Sequence, residues 1–214
     1  MKIVAFMPIK MNNERLPGKN TRLLNGKPLL QYSLDTLLSL ECLDSINVFC
    51  SNPEIIKYIP NGVSFIQREV SLDLPTSNFN QIFSSFEKII DADIYVLAHA
   101  TAPYITRKTV CECINAVVSG EYDSSFTATK IQTFLWENGV PLNFNPNNLP
   151  RTQDLNPIYQ ETSGVYVFKK SVFDNLHRRI GMKPFIKEVS FKEAIDIDTY
   201  ADFSLAQKIS NMEF

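Results

Sequence analysis

The feature that most constrains the fold is the alternation of short apolar runs with segments of helical periodicity along the chain. Six runs rich in β-branched or aromatic residues predict buried strands: residues 2–8, 46–51, 63–67, 94–99, 124–130 and 165–168. Six segments predict helices: residues 29–40, a short one near 54–58, then 78–90, 106–119, 171–178 and 200–210. This alternation indicates an α/β fold, in which a mainly parallel sheet carries helices on both faces.

The composition is that of one folded domain. With 214 residues, of which 44% are hydrophobic and 21% charged, the chain can bury one large core, and no repeat or linker divides residues 1–214. No run of about 18 apolar residues occurs, and a formal net charge of −2 provides no general basic surface. We therefore expect a soluble, cytoplasmic protein with neither a nucleic-acid nor a membrane partner.

Residues 132–162 break this alternation, because they show little helical periodicity. They contain Asn138-Gly139, a dipeptide typical of a two-residue hairpin turn. A hairpin that projects from an α/β core needs something to pack against, and a second copy of the chain is the simplest partner. The segment therefore predicts a projecting arm and a homodimer.

The first predicted strand leads into the stretch MNNERLPGKN, residues 11–20. In open α/β sheets, ligands bind at the carboxyl ends of the strands. Pro17-Gly18 provides a turn in which the glycine takes a positive φ, so Arg15 and Lys19 are expected to face the same side. Two cations near exposed backbone N–H groups suit a triphosphate, although an ordinary solvated turn is the alternative interpretation.

This stretch differs from a Walker A loop at two positions. Asn13 stands where that motif has its first glycine, and Asn20 follows the lysine in place of serine or threonine. Any triphosphate site in this loop is therefore of another kind.

Two aspartates near the C-terminus, in the stretch EAIDIDTYADF, predict a metal site. Asp196 and Asp198 are two apart in an extended segment, so they project to the same side. Two carboxylates on one face suit Mg²⁺, which also takes phosphate oxygens and waters as ligands. For Asp198 alone, capping of the helix that begins near Thr199 is an equally good interpretation.

Five stretches resemble the acylneuraminate cytidylyltransferase family, the CMP-sialic acid and CMP-Kdo synthetases, in that family's order and spacing. They are MPIKMNNERLPGKNTRLLNGKPLLQYSL, QREVSLDLPTS, LAHATAPYITRKT, ETSGVYVF and EAIDID, and they extend over essentially the whole chain. The first carries the family's strand, basic residue and R-L-P-x-K-N loop before a helix. The resemblance implies a Rossmann-like nucleotidyltransferase fold with residues 132–162 as a dimerisation arm that reaches into the neighbouring active site.

The resemblance also implies roles for individual residues. Arg68 is expected to help recognise cytosine, and Asp196 and Asp198 to serve the divalent metal. His99 is expected at the acceptor side of the cleft. Five residues of the first loop are expected to bind the nucleotide and its triphosphate: Lys10, Asn13, Arg15, Lys19 and Asn20. Of these, Arg15 and Lys19 are expected to be catalytic.

The chain departs from the family's pattern mainly on the acceptor side. His99 replaces a glutamine of the sialic acid enzymes, and Glu161 takes the place of an arginine that helps to hold the acidic sugar. A carboxylate there would repel a sugar carboxylate unless another cation intervenes; Arg151 and Arg107 are the replacements we consider, although solvated surface arginines are the usual case. The basic stretch HRRIG, residues 177–181, is interpreted as complementing a helix end.

The predicted function is transfer of CMP from CTP to an acidic sugar, of the sialic acid or Kdo kind, with release of pyrophosphate and with Mg²⁺ as cofactor. The nearest alternative is the same chemistry on a phosphorylated or phosphonate acceptor. Two further alternatives are a glycosyltransferase, since Asp196-Ile197-Asp198 is formally a D-x-D motif, and a non-catalytic nucleotide-binding relative.

Overall fold

The structure is a computed structural model that describes residues 1–210 and 212. Its strands are β1 (Ile3–Ile9), β2 (Leu23–Leu24), β3 (Lys27–Pro28), β4 (Ser45–Cys50), β5 (Ser64–Gln67), β6 (Ile94–Ala98), β7 (Ser124–Ile131), β8 (Trp136–Glu137), β9 (Val140–Pro141), β10 (Ile158–Lys169) and β11 (Pro184–Glu188). The α-helices are α1 (Leu29–Leu38), α2 (Phe79–Glu87), α3 (Arg107–Val118), α4 (Lys170–Leu176) and α5 (Tyr200–Ile209). Short 3₁₀ helices cover Lys19–Thr21, Pro53–Tyr58, Val70–Asp73 and Thr152–Asp154.

Seven of these strands form one sheet in the order β11-β7-β10-β6-β1-β4-β5. The pairs β6-β1, β1-β4, β4-β5 and β11-β7 are parallel, whereas β10 runs antiparallel to both of its neighbours. The prediction of a mainly parallel sheet is confirmed, with β10 as the exception. Parallel strands place their carboxyl ends at one edge of the sheet, which is where ligands bind in such folds.

Helices cover both faces of the sheet, as predicted. On one face, α1 and α3 pack through residues such as Leu34 and Val110 against an aliphatic layer. On the other face, α2 and α4 contribute Phe83 and Phe173 to an aromatic layer, in which the rings of Phe83 and Tyr95 meet edge to face at 4.7 Å between centroids. Each strand of the centre is therefore buried on both sides, which explains why these runs are continuously apolar.

The sequence patterns missed two features of the sheet. Strand β10 is much longer than the predicted run at 165–168, because its first half is mostly polar, is exposed at residues 159–161 and contains no continuous apolar run. Strand β11 was not predicted at all; it lies at the sheet edge, begins with Pro184 and is largely half-exposed, so its pattern is weak. The segment at 54–58 is a 3₁₀ helix rather than a turn of α-helix.

The hairpin predicted at Asn138-Gly139 is confirmed. Both residues have positive φ, 49° and 81°, and they connect β8 to β9. The predicted end of the arm is wrong, because residues 158–162 belong to β10, where Ile158 pairs with Ile131 of β7. The arm therefore spans residues 132–157. In the described part of the chain, no helix has the length and apolar character needed to cross a membrane.

Candidate active site

The loop that follows β1 is fixed by a turn and by a buried leucine. Gly18 has φ 66° and ψ 19°, and the Lys19 N–H donates to the Leu16 carbonyl at 3.1 Å, which closes the predicted Pro-Gly turn. Leu16 itself is fully buried and packs in one cluster with Ile195 and Ile197. The leucine of the R-L-P-G-K-N stretch thus anchors the loop to the segment that carries the two aspartates.

Asn20 joins the two ends of this loop. Its Nδ2 donates to the Lys10 carbonyl at 2.9 Å and to Asn13 Oδ1 at 3.4 Å. A serine or threonine hydroxyl has one hydrogen to donate and could not donate to both groups, so the asparagine suits this loop where a Walker A motif would have a hydroxyl. In this structure Asn20 organises the loop backbone.

The segment around the aspartates alternates between buried and cleft-facing side chains. Ile195 and Ile197 are buried, while Asp196 and Asp198 both line the cleft beside the first loop, as predicted. The backbone is held in place by the Ile197 N–H, which donates to the Thr101 carbonyl at 2.8 Å. The segment therefore connects the loop after β1 with the loop after β6.

Asp198 does not cap the following helix, so the alternative interpretation of this residue is wrong. The N-cap of α5 is Thr199, and it forms a capping box with Asp202. The carboxylate of Asp198 instead receives Lys19 Nζ at Oδ1 and Arg15 Nη2 at Oδ2, each at 2.8 Å. The two cations predicted to face the same side converge on Asp198, one of the two aspartates of the predicted metal site.

This ion-pair network is partly buried. Lys19 has a side chain that is only 10% exposed, compared with 68% for Arg15. Burial raises the pKa of Asp198, but hydrogen bonds and charges from Lys19 and Arg15 outweigh it, so the pKa of this carboxyl lies below its ordinary value. Asp198 is therefore a carboxylate at neutral pH, with both oxygens engaged by cations.

Asp196 has a different environment. Its Oδ1 is buried without a hydrogen-bond partner, a costly state for a carboxylate oxygen unless a cation or donor arrives. No group of three or more His, Cys, Asp or Glu side chains in the described residues is arranged to hold a metal ion. The aspartate pair nevertheless fits Mg²⁺, because this ion is usually bound through one or two carboxylates together with substrate phosphates and water.

His99, directly after β6, lines the same cleft. Its Nδ1 lies 2.8 Å from the Ser163 carbonyl, so Nδ1 carries the hydrogen and Nε2 is left as an acceptor. Burial lowers the pKa of His99, and the charges of Arg179 and Lys19 lower it further against the opposing effects of Ser163 and Asp196. His99 is thus a neutral histidine, satisfied by backbone and also positioned at the cleft.

These groups line a cleft of about 350 Å³ at the carboxyl ends of β1 and β6. Its lining residues are Pro8, Lys10, Asn13, Arg15, Lys19, Asn20, His99, Ala100, Thr101, Ser163, Asp196 and Asp198. Most of the predicted site residues are therefore brought together in one place. We call this space the cationic cleft.

A second pocket of about 370 Å³ adjoins the cationic cleft and shares Ser163 and Asp196 with it. Glu161 lies on its wall, together with Asp202 and apolar residues such as Leu205. We call it the adjoining pocket. It continues the cationic cleft on the side that carries Glu161.

Arg68 and Arg151 line neither the cationic cleft nor the adjoining pocket. Arg68 is buried, with its guanidinium on Asp73, and Asp73 lines a separate pocket of about 460 Å³ next to Asn12. Arg151 is 74% exposed on the arm and forms a two-point ion pair with Asp154, at 2.7 and 3.0 Å. Within a single chain, the structure thus places neither arginine beside Lys19.

Sequence reasoning missed Arg179. The HRRIG stretch was interpreted as complementing a helix end, but Arg179 instead donates to Glu161 Oε1 at 2.9 Å and lies over the ring of Tyr166. No sequence motif indicated this contact. The only signal in the sequence was Glu161, a carboxylate in the place of an arginine, because its charge requires a cation nearby.

A mainly parallel sheet with a basic loop after its first strand, facing two aspartates across a cleft, defines a nucleotidyltransferase-type protein. A family model described as "Cytidylyltransferase" matches residues 4–214, and the chain belongs to this family. Its members are CTP-dependent nucleotidyltransferases, and the predicted family assignment is confirmed.

Individual relatives agree with this family. The chain is 26% identical to the CMP-N,N'-diacetyllegionaminic acid synthase of Legionella pneumophila, over 99% of this chain and 97% of that protein. It is also 26% identical to N-acylneuraminate cytidylyltransferase A of Danio rerio, over 96% of this chain but only about half (50%) of that protein. Among solved structures, a CMP:2-keto-3-deoxy-manno-octonic acid synthetase in complex with CTP superimposes with a TM-score of 0.74 at 16% identity, covering 98% of each chain. That likeness concerns the fold.

Proposed function

We propose that this enzyme transfers CMP from CTP to an acidic sugar and releases pyrophosphate. The observation that carries the proposal is the convergence of Arg15 and Lys19 with Asp196 and Asp198 in one cleft. The names of the relatives support an acidic sugar as acceptor, since they describe synthesis of CMP-diacetyllegionaminic acid and cytidylyl transfer to N-acylneuraminate.

The reaction needs positive charge where the leaving group develops. A hydroxyl oxygen of the acceptor attacks the α-phosphorus of CTP, the bond from that phosphorus to the oxygen bridging it to the β-phosphate breaks, and the hydroxyl proton passes to water. Negative charge then grows on the departing pyrophosphate. Lys19, Arg15 and Lys10 line the cationic cleft. We propose that they bind the triphosphate in the ground state and stabilise the charge of the leaving group.

We propose Mg²⁺ as the cofactor, held by Asp196 and Asp198. The unpartnered Oδ1 of Asp196 is the main support, because a buried carboxylate oxygen without a donor suits a cation. When bound with the nucleotide, the ion would neutralise phosphate charge and hold the phosphates in place. Asp198 would then release Lys19 and Arg15 and bind the ion instead. Lys19 and Arg15 would contact the phosphates.

The nucleoside end of CTP is proposed to lie toward Arg68. Its partner Asp73 and the nearby Asn12 line a pocket on the other side of the first loop from the acceptor. The ion pair between Arg68 and Asp73 fixes the orientation of the arginine. The polar backbone and side-chain groups around it are then held in position to contact a polar base. His99 and Glu161 are proposed to face the acceptor at the opposite side of the cleft.

We also propose that the protein is a homodimer in the cytoplasm. Residues 132–157 form an arm with exposed apolar side chains, among them Trp136 at 58% and Leu149 at 64% exposure. Apolar side chains grouped in this way are typical of interaction surfaces. Arg151 on the same arm lies away from its own cationic cleft, so an acceptor-binding role for it requires the cleft of the partner subunit.

The alternative of a phosphorylated or phosphonate acceptor has less support. Glu161, Asp196 and Asp202 line the adjoining pocket, and no lysine or arginine is among its described lining residues. A dianionic phosphate would be repelled more strongly there than a single carboxylate. A D-x-D glycosyltransferase is also disfavoured, because the aspartates face a loop suited to a triphosphate.

Pyrophosphate release tests the proposal. Purified protein with Mg²⁺ is given CTP, or each other nucleoside triphosphate as a control, with a panel of sialic acids, legionaminic-type sugars, Kdo, and phosphorylated or phosphonate acceptors. We expect release with CTP and at least one acidic sugar. Release only with a phosphorylated or phosphonate acceptor would establish the alternative acceptor class. No release with any acceptor would favour a non-catalytic nucleotide-binding role.

A further inference from the structure

The adjoining pocket presents a problem of charge for an anionic acceptor. Three carboxylates, those of Glu161, Asp196 and Asp202, line it, and none of its described lining residues is basic. Asp196 belongs to the metal site, and Asp202 is occupied as the capping partner of Thr199. The carboxylate of Glu161 is the one that still needs a counter-charge before an anionic sugar can lie beside it.

Arg179 provides this counter-charge. Its Nη2 donates to Glu161 Oε1 at 2.9 Å, and its guanidinium carbon lies 3.7 Å from the centroid of the Tyr166 ring. The Tyr166 hydroxyl donates to the same Glu161 oxygen, because burial and the neighbouring carboxylate raise the pKa of Tyr166 and keep it protonated. Arg179 is thus held by an ion pair on one side and by an aromatic face on the other.

The same group of residues connects Arg179 to the cationic cleft. The ring of Tyr166, which Arg179 covers, meets the ring of His99 edge to face at 5.9 Å between centroids. Glu161 lines the adjoining pocket, and the Arg179 side chain keeps 28% of its surface exposed. The guanidinium is therefore fixed beside Glu161, a residue of the pocket wall, and part of the Arg179 side chain remains exposed.

We propose that Arg179 binds the anionic group of the acceptor and is a specificity-determining residue of this enzyme. The inference rests on the proposed function. In the described contacts Arg179 uses one N–H of its guanidinium toward Glu161, and the other donors remain for a carboxylate, which an arginine can hold at two points. Glu161 aligns the arginine and keeps its second oxygen, Oε2, for a hydroxyl or amide donor of the acceptor.

Steady-state kinetics with CTP and an acidic sugar tests this role, with Arg178→Gln as the matched control. Arg178 is the neighbouring arginine, and its guanidinium contacts the Gly181 carbonyl and Met182 instead of the pocket. For Arg179→Gln we expect the acceptor KM to rise by about tenfold or more, with the CTP KM within about twofold of wild type. The acceptor KM of Arg179→Lys should lie between those of wild type and Arg179→Gln, since lysine keeps the charge but cannot hold a carboxylate at two points.

The double variant Glu161→Gln with Arg179→Gln separates binding from mere neutralisation. If Arg179 only cancels the charge of Glu161, removing both charges restores the acceptor KM, and the proposal is overturned. If Arg179 binds the acceptor, the KM stays raised in the double variant. An unchanged acceptor KM in Arg179→Gln would also overturn the proposal while leaving CTP turnover intact. Absence of turnover in the wild type would instead contradict the proposed function itself, and with it this inference.

Discussion

At the scale of single residues, Asp198 shows how the site balances its charges without substrate. Arg15 and Lys19, the two cations proposed to bind a triphosphate, each contact Asp198, the aspartate proposed as a metal ligand, at 2.8 Å. The family resemblance predicted that these residues belong to one site, and the two-residue spacing predicted that the two aspartates face the same side. The sequence did not predict the contacts of these residues with one another, because an ion pair between residues 179 positions apart depends on tertiary packing.

Replacement of Asp198 by asparagine tests this competition. The carboxylate holds Lys19 and Arg15, so its loss should free both cations for phosphate. We expect Asp198→Asn to bind CTP about three- to tenfold more tightly in the absence of metal, equivalent to roughly 1 kcal/mol, and to lose turnover with Mg²⁺. Calorimetric titration in EDTA measures the affinity. Asp35→Asn, which removes an exposed partner of Lys27, is the control; metal-free affinity that is unchanged or weaker in Asp198→Asn would contradict the account.

His99 should make stability depend on pH. Its pKa is lowered in the folded protein, so the unfolded chain binds the proton more readily, and stability is present above about pH 6.5 and is lost on acidification. In EDTA, Tm is measured at about pH 7.5 and about pH 5.5, which lie on either side of that pKa. We expect Tm to fall less between these two pH values for His99→Gln than for wild type. His177→Asn, at a left-handed helix end, is the control. An equal fall in His99→Gln and wild type would refute the prediction.

At the scale of elements, the local turn in the loop after β1 determines how that loop contributes its residues to the site. Its turn was predictable because proline and glycine specify it locally, and most helices and central strands were predictable from their apolar periods. The polar half of β10 and the edge strand β11 were not, since their pairing comes from neighbouring strands rather than from their own side chains.

Glycine at position 18 is required by its backbone. With φ 66° an L-residue is strained by about 1 kcal/mol, although an added Cβ meets nothing closer than Thr21 Oγ1 at 4.0 Å. We expect Gly18→Ala to lower Tm by a few degrees and kcat/KM by about tenfold or more, because the turn orients Lys19. Gly120→Ala, at φ 82° after α3 with open space around it, is the matched control. It should lose similar stability and keep its activity; equal activity of the two variants would contradict the role of the turn.

At the scale of the whole molecule, the arm is the part that a single chain does not explain. Residues 132–157 expose Trp136, Val140, Leu142 and Leu149, each by more than half. Sequence predicted the hairpin from Asn138-Gly139, but it placed the end of the arm too late, because the chain re-enters the sheet as β10 at Ile158. The arm leads directly into β10, the strand that carries Glu161, so the proposed interface is close in sequence to the proposed acceptor side.

A charge on the arm should separate the subunits. We expect Leu149→Asp to convert a dimer of the wild-type protein into single chains, because a carboxylate in an apolar contact is costly to bury. Sedimentation equilibrium reports the mass. Val70→Asp, at a comparably exposed position outside the arm (71% exposed), is the control and should stay dimeric. A wild-type protein of single-chain mass, or a dimer in Leu149→Asp, would contradict the proposed interface.

The measurement that tests the central claim most directly follows the α-phosphorus of CTP. CTP labelled at that phosphorus is incubated with Mg²⁺ and an acidic sugar, using wild type, Lys19→Ala and Asp196→Asn. The account predicts that wild type transfers the label to the sugar with one pyrophosphate released per product. Each variant should remain folded and be slower by about 10²-fold or more. Label transfer at near wild-type rates by both variants would contradict the assignment of the active site.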